Sequence, residues 1–418
     1  MAEITTSKAQ NGLPVHRIGI PGTRATTILV AFDAGARAER AEENGMAHFL
    51  EHLVFKGGEI YDDYRKVNET AERMGGSLNA YTSHDLVAFH ITVRAESAMP
   101  AIDLLTDFVG RPKIDADELD RERGVVIQEI QRYKDQPASV AGELIDVAGF
   151  GDPPLGRAVL GPEEHLESFT REQVVAFRER RWSGRTGGAF IVGNLEHLDG
   201  NGAVNEAFGR FPDLPVPEPF AEVRSFSPEI LVEERDSNQS HLRMLYRPKV
   251  DVTDPAQRAA LGIYSTLLGG SMGSRLFDEI REPRGLAYSV FALNHFSADH
   301  GLLLLGAGLE SGKTDEAYRR MMEIVAELAA DGPTEEEVER ARAYAGGRRV
   351  LSFEDTNAVA SFAAGRAIVH GEGFDPDEAI ALVDAVTWDD VAEVARLVDP
   401  EELAVACVGP HKAPEFAL

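Results

Sequence analysis

TREQVVAFRERRWSGRTGGAFIVG, Thr170 to Gly193, reads as a capped helix that runs into an apolar strand. Thr170 is a candidate N-cap and Glu172 puts an acid in the first turn, which suits the free amides and the positive end of the helix dipole. The strand closes on Val192-Gly193. The same arrangement recurs far downstream: Thr387-Trp-Asp-Asp-Val391 opens a helix, and LAVACVG closes on Gly409. Further upstream, DELDRER (Asp117 to Arg123) parallels EEVERAR (Glu336 to Arg342). The three offsets, 217, 216 and 219 residues, are nearly constant. A fixed period of this kind marks an internal duplication.

Within each half, strand-like runs (TTILVAF, LVAFHITV, HGLLLLGAG) mix with helical stretches such as MPAIDLLTDFV, and some strands pair locally, as in SLNAYTSHDLVAFHITV. The expected fold is α+β: two homologous domains, each a largely antiparallel sheet with helices packed on one face, joined by a Pro-rich linker. FPDLPVPEPF (Phe211 to Phe220) carries four prolines, and proline stiffens a chain and removes donors. The expected boundaries are 1–210, a linker at 211–228, and 229–418.

A chain of 418 residues exceeds one ordinary core, and an apolar fraction of 43% excludes disorder. No run approaches the roughly 18 apolar residues that cross a bilayer, and MAEITTSKAQNGLPV has no apolar leader segment. A soluble, cytoplasmic protein is expected. The single cysteine, Cys407, lies in an apolar run and reads as a core residue, which fits a reducing compartment. The net charge of −28 argues against nucleic acid and anionic membrane as partners. It serves either solubility or a cleft that attracts basic substrates.

The densest ligand chemistry is GMAHFLEHLVFKGG (Gly45 to Gly58). On a helix His48 and His52 share a face, the arrangement a tetrahedral metal needs from two imidazoles, with Glu51 beside them. The pattern H-x-x-E-H is the inverted zinc-peptidase signature. The helix also has a structural role, because Met46, Phe49, Leu50 and Leu53 form a stripe suited to a core. A third ligand would be a carboxylate on another element. DELDRERGVVIQEIQRYKDQ is a helical segment on which Glu122 and Glu129 share a face, and 76 residues separate His52 from Glu129.

With these residues in place, the chain resembles the pitrilysin/insulinase family of zinc peptidases, in its short bacterial branch like the β-subunit of the mitochondrial processing peptidase. The likeness rests on H-x-x-E-H followed by Glu after 76 residues, on GGSLNAYTSHD (Gly75 to Asp85) and on SRLFDEIREPRGLAYSV (Ser274 to Val290). It implies a zinc metalloendopeptidase that hydrolyses peptides or unfolded polypeptides in a closed chamber. His48, His52 and Glu129 would hold one zinc ion per chain, and a zinc-activated water would be the nucleophile. Glu51 would be the general base and Glu122 would orient a ligand. Arg281 and Tyr288 would grip the substrate backbone and support the oxyanion. Asn79 and Ala80 would contact a peptide laid along a sheet edge. The resemblance also implies a homodimer, with a heterodimer of related chains as the alternative.

The second half departs from the pattern. Aligning Met46-Ala-His with Met272-Gly-Ser puts Ser274, Phe277 and Asp278 at the positions of His48, Glu51 and His52, and Arg348 opposite Glu129. A guanidinium cannot ligate zinc. GGSMGS (Gly269 to Ser274) lacks the ending of a phosphate loop and reads as a turn. Two other readings stand beside the peptidase: a non-catalytic core or assembly subunit, and one half of an obligate heterodimeric processing enzyme.

Overall fold

The computed structural model describes residues 3–417 except 152–153, 199, 201, 221–222, 224–225 and 283. The chain forms two compact units that are not its two contiguous halves. The first comprises residues up to 130, 158–221 and 351–378; the second comprises 131–157, 222–350 and 379–418.

The first unit is built on a six-stranded sheet: β1 (Glu3–Lys8), β2 (Pro14–Gly19), β3 (Ala25–Phe32), β4 (Ser77–Thr82), β5 (Val87–Arg94) and β6 (Gly187–Gly193). Their order is β1-β2-β6-β3-β5-β4, and only β2 and β6 are parallel. The second unit has β7 (Ile230–Glu234), β8 (Gln239–Tyr246), β9 (Ala287–Phe296), β10 (Gly301–Glu310) and β11 (Leu403–Gly409), in the order β7-β11-β8-β10-β9. Here β7 and β11 make the parallel pair. Strand for strand, the second sheet repeats the first without β1. The two helices read from their caps are present, with Thr170 and Thr387 each accepting the amide three residues on.

One face of the first sheet packs against the helices of its own half. Phe32, Phe89 and Ile91 meet Met46, Phe49, Leu50 and Leu53 in the main core. The other face is covered too. Leu29, Ala31, Ala88, Phe190 and Val192 pack against Val359, Ala360, Ala363 and Ala364 of helix Thr356–Ala364, which comes from the second half of the sequence. This explains why β3 is apolar along nearly its whole length, because a strand with one wet face would alternate. The second sheet is treated in the same way. Leu245, Leu302, Ala404 and Ala406 cluster with Ile145 and Ala148 of helix Pro137–Phe150, from the first half.

Each half thus lends one helix to the other's sheet. By their contacts, residues 131–157 and 351–378 group with the sheet of the opposite half, across the expected division at 1–210 and 229–418. The Pro-rich stretch also differs from a free linker. Phe211–Phe220 is strapped to the first unit, with Ser183 donating to the Leu214 carbonyl (3.1 Å) and Arg181 to the Glu218 carbonyl (2.8 Å). The Phe220 ring lies under the guanidinium groups of Arg37 and Arg181, at 5.3 and 4.8 Å. Part of the remaining expected linker lies outside the described residues. Cys407 is a buried free thiol whose pKa burial pushes up to about 12. Among the described residues no helix is long and apolar enough to cross a membrane.

Candidate metal centre and active site

Helix Met46–Val54 carries the H-x-x-E-H residues. Its start is built by a carboxylate that sequence reading missed. Glu39 is buried, and its two oxygens accept the amides of Gly45 (3.0 Å) and Ala47 (2.7 Å) and the Asn44 side chain (3.1 Å). The first amides of a helix have no internal partner, so Glu39 acts as a cap supplied from outside the helix. Gly45 precedes the helix with φ 98°, and a Cβ there would lie 2.6 Å from the Leu160 carbonyl oxygen, so only glycine fits. Met46, Phe49, Leu50 and Leu53 are buried, which turns the other face of the helix, with His48 and His52, toward the long helix Ala116–Lys134. That helix anchors itself through buried Leu119, Val126 and Ile130 and presents Glu122 and Glu129.

The two helices bring three candidate ligands together. Glu129 Oε2 lies 3.4 Å from His52 Nε2 and 3.9 Å from His48 Nε2. One ligand atom from each of the three residues lies within 4.8 Å of the others. A tetrahedral ion with bonds of about 2.1 Å sets its ligand atoms about 3.4 Å apart, so the set fits zinc with little adjustment. Among the described residues no second such cluster exists.

The surrounding electrostatics act on the two imidazoles in opposite directions. Burial, helped by the charge of His52, pushes the His48 pKa down to about 3, which keeps the imidazole neutral. Burial alone would also depress His52, but the hydrogen bond and charge of Glu122, with Glu51 and Glu129 behind, outweigh it and raise its pKa. Glu122 Oε1 lies 2.9 Å from His52 Nδ1, which turns Nε2 toward Glu129. Lys56, one helical turn beyond His52, forms an ion pair with the other oxygen of Glu122. Burial would raise the Glu122 pKa, yet the bonds to His52 and Lys56 prevail and lower it. Lys56 was not read as a site residue, although its spacing of four from His52 was visible.

Glu51 is buried, and burial pushes its pKa up, aided by Glu129 and opposed by Thr82 and His52. The Thr82 hydroxyl donates to Glu51 Oε2 at 2.6 Å. Asn79 and Ala80 lie on β4, the free edge of the sheet, where Asn79 Oδ1 accepts the Ala80 amide at 2.9 Å. Arg281 and Tyr288 belong to the second unit and lie together there, the guanidinium 6.0 Å from the Tyr288 ring centre and 4.8 Å from that of Phe277. Tyr288 is 85% exposed on β9, which rules out a core role. In the second unit Arg275, next to Ser274, forms a two-pronged ion pair with Glu337 at 2.5 and 2.9 Å.

Comparison with known proteins bears on the family and the fold. A family model described as "Insulinase (Peptidase family M16)" matches residues 18–163, and one described as "Peptidase M16 inactive domain" matches residues 168–344. A Bacillus subtilis protein described as an uncharacterized zinc protease is 31% identical over 406 residues, covering 96% of this chain and 97% of that one. A Mycobacterium leprae protein of the same description is 30% identical, covering 98% of this chain and 92% of its own length. Among solved structures, a peptidase M16 inactive domain from Pseudomonas fluorescens superimposes with a TM-score of 0.89 at 19% identity, over 98% of both chains. A protease from Helicobacter pylori gives 0.88 at 18% identity, over 98% of this chain and 100% of that one. At such identities the two structures speak for the fold alone.

Proposed function

We propose, for a chain that belongs to the insulinase family of M16 peptidases, a zinc-dependent endopeptidase acting on peptides or unfolded polypeptides. The observation that carries the reading is the convergence of His48, His52 and Glu129 beside a buried Glu51.

His48 and His52 would hold the ion through Nε2 and Glu129 through Oε2. Bound there, zinc supplies a Lewis acid that polarises the scissile carbonyl and acidifies water. Glu51 takes the proton of the attacking water on its carboxylate and returns it to the leaving amine nitrogen. Its raised pKa suits a group that must hold a proton between these two events. Glu122, charged and braced by Lys56, keeps the His52 ring in one orientation. The free edge of β4 receives the peptide as an added strand, in which the Ala80 amide exchanges its bond with Asn79 for one with the substrate. Arg281 and Tyr288 are the groups to which this reading gives support of the oxyanion. Backbone pairing tolerates sequence, so broad specificity follows, with the net charge of −28 favouring basic peptides. A cytoplasmic homodimer is the assembly this reading expects.

The test is metal content and peptide cleavage for the wild type and Glu51→Gln. The variant should keep one zinc per chain while cleavage falls about 10²–10⁴-fold. Undiminished cleavage by Glu51→Gln would sink the mechanism. A wild type that neither carries nor takes up metal would favour the assembly-subunit reading.

A further inference from the structure

The alternation of β4 exposes an anomaly at its last residue. Leu78 and Ala80 face the main core, on the side of helix Met46–Val54, whereas Tyr81 packs with the cluster on the opposite side of the sheet. By the two-residue period, position 82 belongs with Leu78 and Ala80, where an apolar side chain would be expected. It is instead a threonine, and its hydroxyl reaches Glu51 Oε2 at 2.6 Å. Among the described residues this is the one hydrogen bond that the Glu51 carboxylate accepts.

Thr82 is also held still. Its backbone pairs with Val87, and the turn that follows is fastened from both sides. Ser83 donates its amide to the Leu86 carbonyl at 2.9 Å, while Ala36 and Arg37 donate theirs to the Ser83 and His84 carbonyls, both at 2.9 Å. The Arg37–Asp85 ion pair, at 2.8 Å, closes the same turn. A β-branched side chain on a fixed backbone has little rotamer freedom, so the hydroxyl direction is set before Glu51 arrives.

We infer that Thr82 is a positioning residue: its hydroxyl fixes one oxygen of the Glu51 carboxylate and leaves the other free to take the proton. This rests on Glu51 being the general base. The same strand that presents Asn79 and Ala80 to a peptide then also aims the base, which ties substrate docking to base orientation through three residues of chain. Fixing a reacting group in one orientation is a recognised source of rate, and the bond spends none of the substrate's binding energy.

The test compares Thr82→Val, which keeps the shape and removes the hydroxyl, with Thr82→Ser, which keeps the hydroxyl and removes the methyl. Thr82→Val should lower kcat about 10–100-fold, the worth of a hydrogen bond to a charged group, with KM and zinc affinity within about twofold of wild type. Thr82→Ser should stay within about threefold in kcat. Equal losses in both variants would assign Thr82 a packing role and overturn the inference.

A second measurement needs no activity. In the zinc-free protein, Thr82→Val should lower the thermal midpoint by about 2–4 °C when Glu51 is present and by under about 1 °C in a Glu51→Ala background. Absence of that coupling would also overturn the inference. If the zinc-loaded wild type cleaves nothing, the peptidase reading fails, and the thermal cycle still decides whether Thr82 holds Glu51.

Discussion

Replacing Glu122 by Gln keeps the shape of the side chain and removes its charge. In the structure that charge sits between the His52 imidazole, 2.9 Å from Oε1, and the Lys56 ammonium. Its removal weakens the charge-assisted bond that orients His52 and makes the ring a poorer donor, so zinc affinity should fall about 10–100-fold. The size of the loss should depend on pH, and the sign follows from His52. Glu122 raises the His52 pKa above 6.5 by outweighing burial, so in the wild type protons compete with zinc for the ring as pH falls toward and below 6.5. In Glu122→Gln burial dominates, the His52 pKa drops, and that competition moves to lower pH. The deficit of the variant should therefore be largest near pH 8 and smaller near pH 6. Chelator competition at pH 6, 7 and 8 on both proteins measures it. A deficit that is absent at pH 8, or that grows as pH falls, would refute the role assigned to Glu122.

Two further outcomes are expected. Tyr288→Phe removes a hydroxyl from a side chain that is 85% exposed, so stability and zinc binding should be unchanged while kcat falls; an unaltered kcat would remove Tyr288 from the mechanism. A fragment ending at residue 210 lacks helix Thr356–Ala364 and leaves the face formed by Leu29, Ala31, Ala88, Phe190 and Val192 uncovered. It should aggregate or bind hydrophobic dyes, and a monomeric, cooperatively folding fragment would contradict the helix exchange.

Much of the first unit was legible because its signals are local. The capping threonines, the apolar helix stripe and the i, i+4 histidines each lie within a few residues, and local periodicity determines how they fold. The duplication was legible for a related reason: two copies of a local pattern need no tertiary knowledge to align. The helix exchange was not. Nothing in TNAVASFAA (Thr356–Ala364) says which sheet it covers, and its small alanine face suits the back of either. The one available hint was the unbroken apolar run ILVAF within TTILVAF, which asks for cover on both faces without naming its source. Glu39, Lys56 and Thr82 escaped for the same cause. Each is an ordinary residue until the fold sets it against a helix start, Glu122 or Glu51. The Pro-rich stretch reads as extended chain, and prolines do not say what that chain packs against.

Charge balance gives the candidate ligand set of the first unit a reason to ask for a cation. Around His48 and His52 stand three carboxylates, Glu51, Glu122 and Glu129, and one ammonium, Lys56. With both imidazoles neutral the group carries two net negative charges, and burying them is costly unless a cation is bound. Burial raises the Glu51 pKa, with the Glu129 charge adding to it, and the carboxylates around His52 raise that of the imidazole against burial. A divalent ion offsets the two negative charges in one step. In the second unit Arg275, next to Ser274, pairs with Glu337, an ion pair that is neutral by itself.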